Sequence, residues 1–415
     1  MRILIVTQFY PPESLITLEP ELAETLQALG HEVTVLTGFP NYPSGNLYPG
    51  YRIKHWRRET INGVRVIRVP LFPDHGRGAL KRSLNYLSFA ASAAVLGPWL
   101  SGRVDLVHAI QPVTAGWAAW AISRVLRVPY TTDVFDMWPE TLAATGMVSS
   151  SRVLAAVGWL AKFVYSRAAA VRVVSNGFKQ NLIEKGIPAK RIHVVSNWID
   201  PDEQRPVEYN GDLAKRLGLD GQFNIMYAGS IGLPQRLDVV LDAAEKLADL
   251  PRVQFVFVGG GPDTERLKSL ATDRGLANVK FLGMWPTEDM PRLYALADVL
   301  MLHLARAPLF SITIPSKVFG YMSASRPVLA AVDGEASEMV ESRGVGLACP
   351  PEDPAALAVA VRRFYGMSPE ELAVMGRRSR AAVVQAFGRD RLVGQIVEIF
   401  NQVVSRNERI PKKWP

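Results

Sequence analysis

Short, almost continuous apolar runs alternate along this chain with segments whose apolar residues return every three or four positions. In the first half the runs fall at 2–7, 31–38, 64–69, 104–110, 129–134, 169–175 and 192–197. Runs without a polar face are characteristic of parallel strands covered on both sides. Helical periodicity fills most of the gaps, near 18–29, 79–100, 113–126, 153–167 and 177–186. Gly30 stops the first helix, and Asn62-Gly63 turns the chain into the run at 64–69. This alternation predicts a doubly wound parallel α/β sheet.

After Asn197 the chain turns polar and proline-bearing, through Ile199-Asp200-Pro201-Asp202 and Arg205-Pro206, which predicts a linker over 198–222. The pattern then restarts. Strands are expected at 223–228, 253–258, 279–282, 299–304 and 328–332, with helices at 236–249, 262–274, 290–297, 316–324, 335–343 and 354–366. Asp353-Pro354 opens the last of these as cap and first-turn residue. From Pro369 two more helices are expected, broken near Gly388. A chain of 415 residues exceeds one compact core. The organisation expected is a Rossmann-like domain over 1–197, the linker, and a second such domain over 223–388. A C-terminal helix, about 389–415, crosses back to the first domain.

Charge divides unevenly between the halves. Residues 1–195 carry 21 Lys+Arg against 12 Asp+Glu, whereas the whole chain nets +8. The basic half is expected to face something anionic: a membrane surface or a phosphorylated acceptor. No aromatic-basic RNA motif or zinc-finger spacing is present, so nucleic acid is not an expected partner. The one cysteine, Cys349, excludes an internal disulfide and a cysteine zinc site, and points to a reducing compartment. The opening MRILIVTQFY reads as a first strand and not a signal peptide. The uncharged span 83–102, flanked by Arg77, Lys81, Arg82 and Arg103, contains Asn85, Gly97 and Pro98. It is expected to be a packed helix with a lipid-facing edge rather than a membrane span, joined by Lys54-His55-Trp56-Arg57-Arg58.

Candidate chemistry concentrates in 314–340, IPSKVFGYMSASRPVLAAVDGEASEMV. Pro315 ends what precedes it, and Ser316 is expected to cap the next helix through its hydroxyl. Ser316, Lys317 and the first backbone N–H groups then converge as an anion site. Gly259-Gly260-Gly261-Pro262 follows a strand and opens a helix. In the first half, Asp133-Val134-Phe135-Asp136-Met137-Trp138-Pro139-Glu140 follows a strand, and carboxylates there point into the crevice of such sheets. Asp136 and Glu140 are the candidates to accept a proton or hold hydroxyls. Trp138 is a candidate to stack on the face of a bound ring, and His108, at a strand end, is another candidate polar contact.

YAGSIGLPQRLDVVLDAAEKL, VQFVFVGGGPDTERL and FLGMWPTEDMPRLYALADVLMLHL precede that stretch. In the first half stand FYPPE, GHEVTVLTGFPNYPSG, INGVRVIRV, DVFDMWPE and VVSN. In this order and spacing the chain resembles GT-B glycosyltransferases of family 4. It is most similar to the bacterial branch building O-antigen and capsule polysaccharides, including N-acetylfucosaminyl transferases. The resemblance implies two Rossmann-like domains facing a cleft. There, a sugar would pass with retention from a nucleotide-diphosphate donor, expected to be UDP-linked, to a lipid-linked or glycan acceptor. No metal or other cofactor is expected, and Asp133 and Asp136 are spaced D-x-x-D, not D-x-D. The implied place of work is the inner face of the cytoplasmic membrane. Lys317 and Arg236 are then the cations for the leaving diphosphate, although Gln235 takes the usual lysine place. Ser230, Gly232 and Gly260 line the phosphates, Met284 meets the base, and Ser316 and Glu338 lie near the donor.

The family pattern is broken in places. Leu15-Ile16 replaces a glycine pair, Ile110 a histidine, and Ile312 and Gly320 the paired glutamates. The losses fit either a less polar donor sugar or lost activity. Two rivals follow: a GT-B sugar-nucleotide 2-epimerase, and a noncatalytic assembly subunit.

Overall fold

The structure, a computed structural model, describes residues 1–13, 18–74 and 79–408. Leu15-Ile16 and Arg77 lie outside the described residues. The chain divides into two compact units. The first comprises Met1–Val174, Phe178–Val195 and the C-terminal helix from Val393; the second comprises Ser175–Gly177 and Ser196–Leu392.

The first unit is built on eight strands: β1 (Arg2–Val6), β2 (Glu32–Gly38), β3 (Arg57–Ile61), β4 (Val64–Val69), β5 (Leu106–Ala109), β6 (Tyr130–Val134), β7 (Ala170–Val173) and β8 (Ile192–Val194). Their order in the sheet is β3-β4-β2-β1-β5-β6-β7-β8, parallel except for β3. β3 was not among the strands expected. Its residues RRETI alternate in exposure, because it is an edge strand paired antiparallel to β4. Part of the expected basic edge is therefore hairpin. Arg57 pairs with Glu59 at 3.0 Å, and Arg58 lies over the Trp56 ring.

The second unit carries β9 (Phe223–Ala228), β10 (Val253–Val258), β11 (Val279–Gly283), β12 (Val299–His303), β13 (Val328–Ala331) and β14 (Gly346–Cys349). All are parallel, in the order β11-β10-β9-β12-β13-β14. Successive residues of one strand enter opposite cores. Met226, Val256, Leu300 and Ala330 pack on one face, and Ile225, Phe255, Val299 and Leu329 on the other. That double burial is why these strands read as nearly continuous apolar runs.

The segment expected as a linker, 198–222, contains the helix Gly211–Leu217. Asn210 caps it, its side chain accepting from Leu213 N at 2.9 Å. Leu213, Ala214 and Leu219 are buried in the second core, so this stretch belongs to the second unit. The C-terminal helix Arg389–Glu408 starts after Gly388. Its buried residues Val393, Ile396, Phe400 and Val403 recur at helical spacing, and the Phe400 ring lies 4.9 Å from that of His108. Among the described residues no helix is long and apolar enough to cross a membrane.

Candidate functional site

In the second unit the loops leaving β9 and β10 are glycine-built because they lie against each other. Gly229 N donates to Val258 O at 2.9 Å, and Ile231 N to Gly260 O at 3.0 Å. A Cβ on Gly259 would fall inside the van der Waals contact of the Gly229 carbonyl, and one on Gly261 inside that of Ile231. Gly259 also sits at φ 124°, a region that side chains disfavour. Gly259→Ala is therefore expected to cost about 2–4 kcal/mol in urea unfolding. Gly394→Ala has open space on the C-terminal helix and is expected to gain up to about 1 kcal/mol.

The helix Lys317–Ser323 closes the site from the other side. The Tyr321 hydroxyl donates to Ala228 O and accepts from Ala228 N, both at 2.9 Å, fixing this helix to the end of β9. The Lys317 ammonium is thereby held at the mouth of the loop. Its Nζ donates to the Tyr227 hydroxyl at 2.5 Å and stands 4.1 Å from that ring's centroid. Nζ would be 2.8 Å from a Cβ on Gly229. The Tyr227 hydroxyl donates onward to Ser230 O at 2.6 Å. No described carboxylate forms an ion pair with Lys317. Burial without such a partner pulls the ammonium down to about 7. Tyr227 and Tyr321 are the residues that sequence reasoning missed. Each is one aromatic in a buried run, and only the pairing of β9 with this helix gives it a polar task.

Ser316 precedes the helix, but its hydroxyl makes no cap bond, contrary to expectation. Its backbone is already helical, at φ −57° and ψ −30°, whereas capping requires an extended residue. The hydroxyl is left at the exposed mouth beside Lys317. Ser230 is exposed on the first loop, and Gly232 N donates to Gln235 Oε1 at 3.0 Å. Met284, 84% exposed after β11, overlies Gly260, whose added Cβ would lie 3.1 Å from Met284 Cγ. Glu338 is exposed on the helix Glu335–Ser342, which follows β13.

Arg236, expected as a second phosphate cation, is paired with carboxylates in the structure. Its guanidinium is committed to Asp238 at 3.0 Å and Glu352 at 3.1 Å. Gly320 leaves space: an added Cβ would meet Tyr294 at 3.8 Å and Ile199 at 3.9 Å, so aromatic and aliphatic groups surround the position.

In the first unit three sequence candidates have structural partners. His108 is buried, with Nδ1 2.9 Å from Thr131 Oγ1 and Nε2 3.4 Å from Asp133 Oδ2; it does not offer an acceptor contact. Arg172 holds the same Asp133 oxygen at 2.7 Å. Burial alone would raise the Asp133 carboxyl, but Arg172 and then His108 overcome it and hold it below its usual value. Glu140 pairs with Lys185 at 2.6 Å. Asp136 remains exposed, its backbone clamped by Gln111: Asp136 N donates to Gln111 Oε1 at 3.0 Å, and Gln111 Nε2 to Asp136 O at 2.7 Å. Desolvation raises its carboxyl. Trp138 is half-buried. Glu19, which sequence reasoning did not single out, is pushed up to about 7, by burial first and then by Asp133 and Glu13. Only the fold brings those acids near one another. Among the described residues no cluster of three His, Cys, Asp or Glu could hold a metal.

Two doubly wound parallel sheets, one ending in glycine loops around a part-buried lysine, are the architecture shared with GT-B glycosyltransferases of known structure. A glycosyl transferase 4-like domain matches residues 20–198, and a glycosyl transferases group 1 domain matches 222–366. The chain belongs to these glycosyltransferases. The colanic acid biosynthesis glycosyl transferase WcaI of Escherichia coli K12 is 25% identical over 378 residues, covering 88% of this chain and 92% of that one. Glycosyltransferase WbjE of Pseudomonas aeruginosa is 27% identical over 229 residues, 54% of this chain and 57% of that one. Among solved structures, Anabaena HepE in complex with UDP and glucose superposes with TM-score 0.71 at 20% identity, covering 96% of this chain and 99% of that one.

Proposed function

We propose that this glycosyltransferase is a retaining, metal-independent enzyme using a UDP-linked sugar. It would extend a lipid-linked or polysaccharide acceptor in cell-surface polysaccharide synthesis, at the inner face of the cytoplasmic membrane. The observation that carries the reading is the Lys317 ammonium, enclosed beside glycine loops with no carboxylate to neutralise it. A diphosphate supplies the missing anion. As the glycosidic bond breaks, negative charge grows on the leaving phosphate, and a fixed cation there lowers the barrier. Ser316 and Ser230 add hydroxyls, and Gly260 lets the phosphates approach the backbone. Asp136 and Glu140 are the carboxylates proposed to take the acceptor's proton or hold its hydroxyls. An apolar Ile312 in place of a carboxylate favours a less polar sugar.

The relatives support this reading in their own terms: WcaI is named for colanic acid biosynthesis, and HepE was solved with UDP. For the membrane, the helices Ala79–Leu100, Val113–Leu126 and Ser151–Arg167 contain no Asp or Glu. Trp99 is 82% exposed and Trp159 69%. Such basic, aromatic faces bind anionic lipid in a salt-sensitive way.

The test is a binding screen of UDP-, GDP-, ADP- and dTDP-sugars, followed by product analysis with lipid-linked acceptors. UDP-sugar consumption is expected only with acceptor, giving a product of unchanged anomeric configuration. Conversion without acceptor would indicate the epimerase, and absence of turnover with every donor would indicate the assembly subunit.

A further inference from the structure

An apolar groove of about 460 Å³ opens in the first unit. That volume is in the range of ligand pockets, ~300–1,000 Å³. One wall is the helix Ser151–Arg167, which presents Val153, Ala156, Val157 and Leu160 on a single face. Facing it is the helix Ala79–Leu100, whose Leu87 is 56% exposed. Soluble surfaces rarely leave such a stripe uncovered.

The groove also has a polar side. Its only charged lining residues are Arg82 and Arg152, and neither pairs with a described carboxylate. No Asp or Glu occurs in 79–104 or 141–183. Two further lining groups, Trp138 Nε1 and Thr114 Oγ1, are buried without a hydrogen-bond partner among the described residues. Buried polar groups ordinarily find partners, so these two lack something the groove would hold. Asp136 stands near this end: its charge acts on Tyr86, another lining residue.

We infer that the groove binds the acceptor's lipid, a single long hydrocarbon chain bearing a phosphate or diphosphate head. The chain lies along Val153, Ala156, Val157 and Leu160. The head meets Arg82 and Arg152, with Trp138 and Thr114 donating to its oxygens. The charge complementarity selects this occupant over an uncharged peptide or glycan. The inference rests on the proposed transfer to a lipid-linked acceptor.

The full-length protein is titrated with geranylgeranyl diphosphate below its micellar concentration, following tryptophan fluorescence. Binding is expected, and Ala156→Trp, which fills the groove, is expected to weaken it at least tenfold. Ala155→Trp, on the same helix but outside the lining, should leave it unchanged, which controls for damage to the helix. Arg82→Gln with Arg152→Gln should weaken the diphosphate lipid but not geranylgeraniol. Equal affinity in Ala156→Trp and wild type would overturn the inference. So would a parallel loss of binding to phosphatidylglycerol vesicles, since the groove would then be a bilayer anchor. Transfer to a lipid-linked acceptor is measured separately. Transfer with an unchanged KM in Ala156→Trp sinks the groove and spares the enzyme reading. Lipid binding that Ala156→Trp weakens, without transfer to any acceptor, does the reverse.

Discussion

Lys317→Met is expected to lower UDP-sugar affinity about a hundredfold in calorimetric titration while stabilising the unliganded protein. Both effects come from one fact: a part-buried ammonium lies against Tyr227 without a carboxylate. Truncating one partner of a buried charge contact costs about 2–5 kcal/mol, and tenfold in affinity is about 1.4 kcal/mol. The pH dependence separates this from a general loss of structure. With its folded value near 7, Lys317 is charged below that pH and mostly neutral above it. Donor binding restores the proton, so affinity should fall as pH rises above 7, with proton uptake visible as a buffer-dependent heat. Stability runs the other way. Between about 7 and the ordinary lysine value near 10.4, the unfolded chain binds the extra proton, so the unliganded wild type gains stability with rising pH. Lys317→Met should lose both slopes. An unchanged affinity would remove the lysine from the diphosphate site.

The fold was legible because most strands are buried on both faces. Residues 223–228 and 253–258 announce themselves as apolar runs interrupted only by Asn224 and Gln254, and the structure places β9 and β10 there. β3 was hidden because one edge strand with alternating exposure resembles a charged loop. The helix Gly211–Leu217 was hidden by the proline-rich stretch before it. For the site, Lys317 could be picked out because proline and serine mark a helix start beside it. Its environment could not: Tyr227 is 90 residues away in the chain. Arg236 shows the converse limit. Spacing suggested a phosphate ligand, but Glu352, 116 residues on, takes up its guanidinium together with Asp238.

Asp133→Ala is expected to destabilise the first unit by about 3–5 kcal/mol, because it leaves Arg172 buried without its carboxylate. Sequence position at a strand's carboxyl end makes Asp133 look as catalytic as Asp136, yet the two carboxyls move in opposite directions. Arg172 and His108 overcome burial at Asp133 and hold it low, whereas desolvation raises Asp136. A depressed folded value means that Asp133's contribution is fully present above its unfolded value, about 3.9. It is lost as pH falls through the folded value. Acid unfolding of the wild type should therefore steepen below about pH 4, and Asp133→Ala should lack that component while already being weaker at pH 7. Asp136→Asn should leave the urea midpoint near that of wild type and act on kcat instead. If Asp136→Asn destabilised as severely as Asp133→Ala, the division into one structural and one reactive carboxylate would fail.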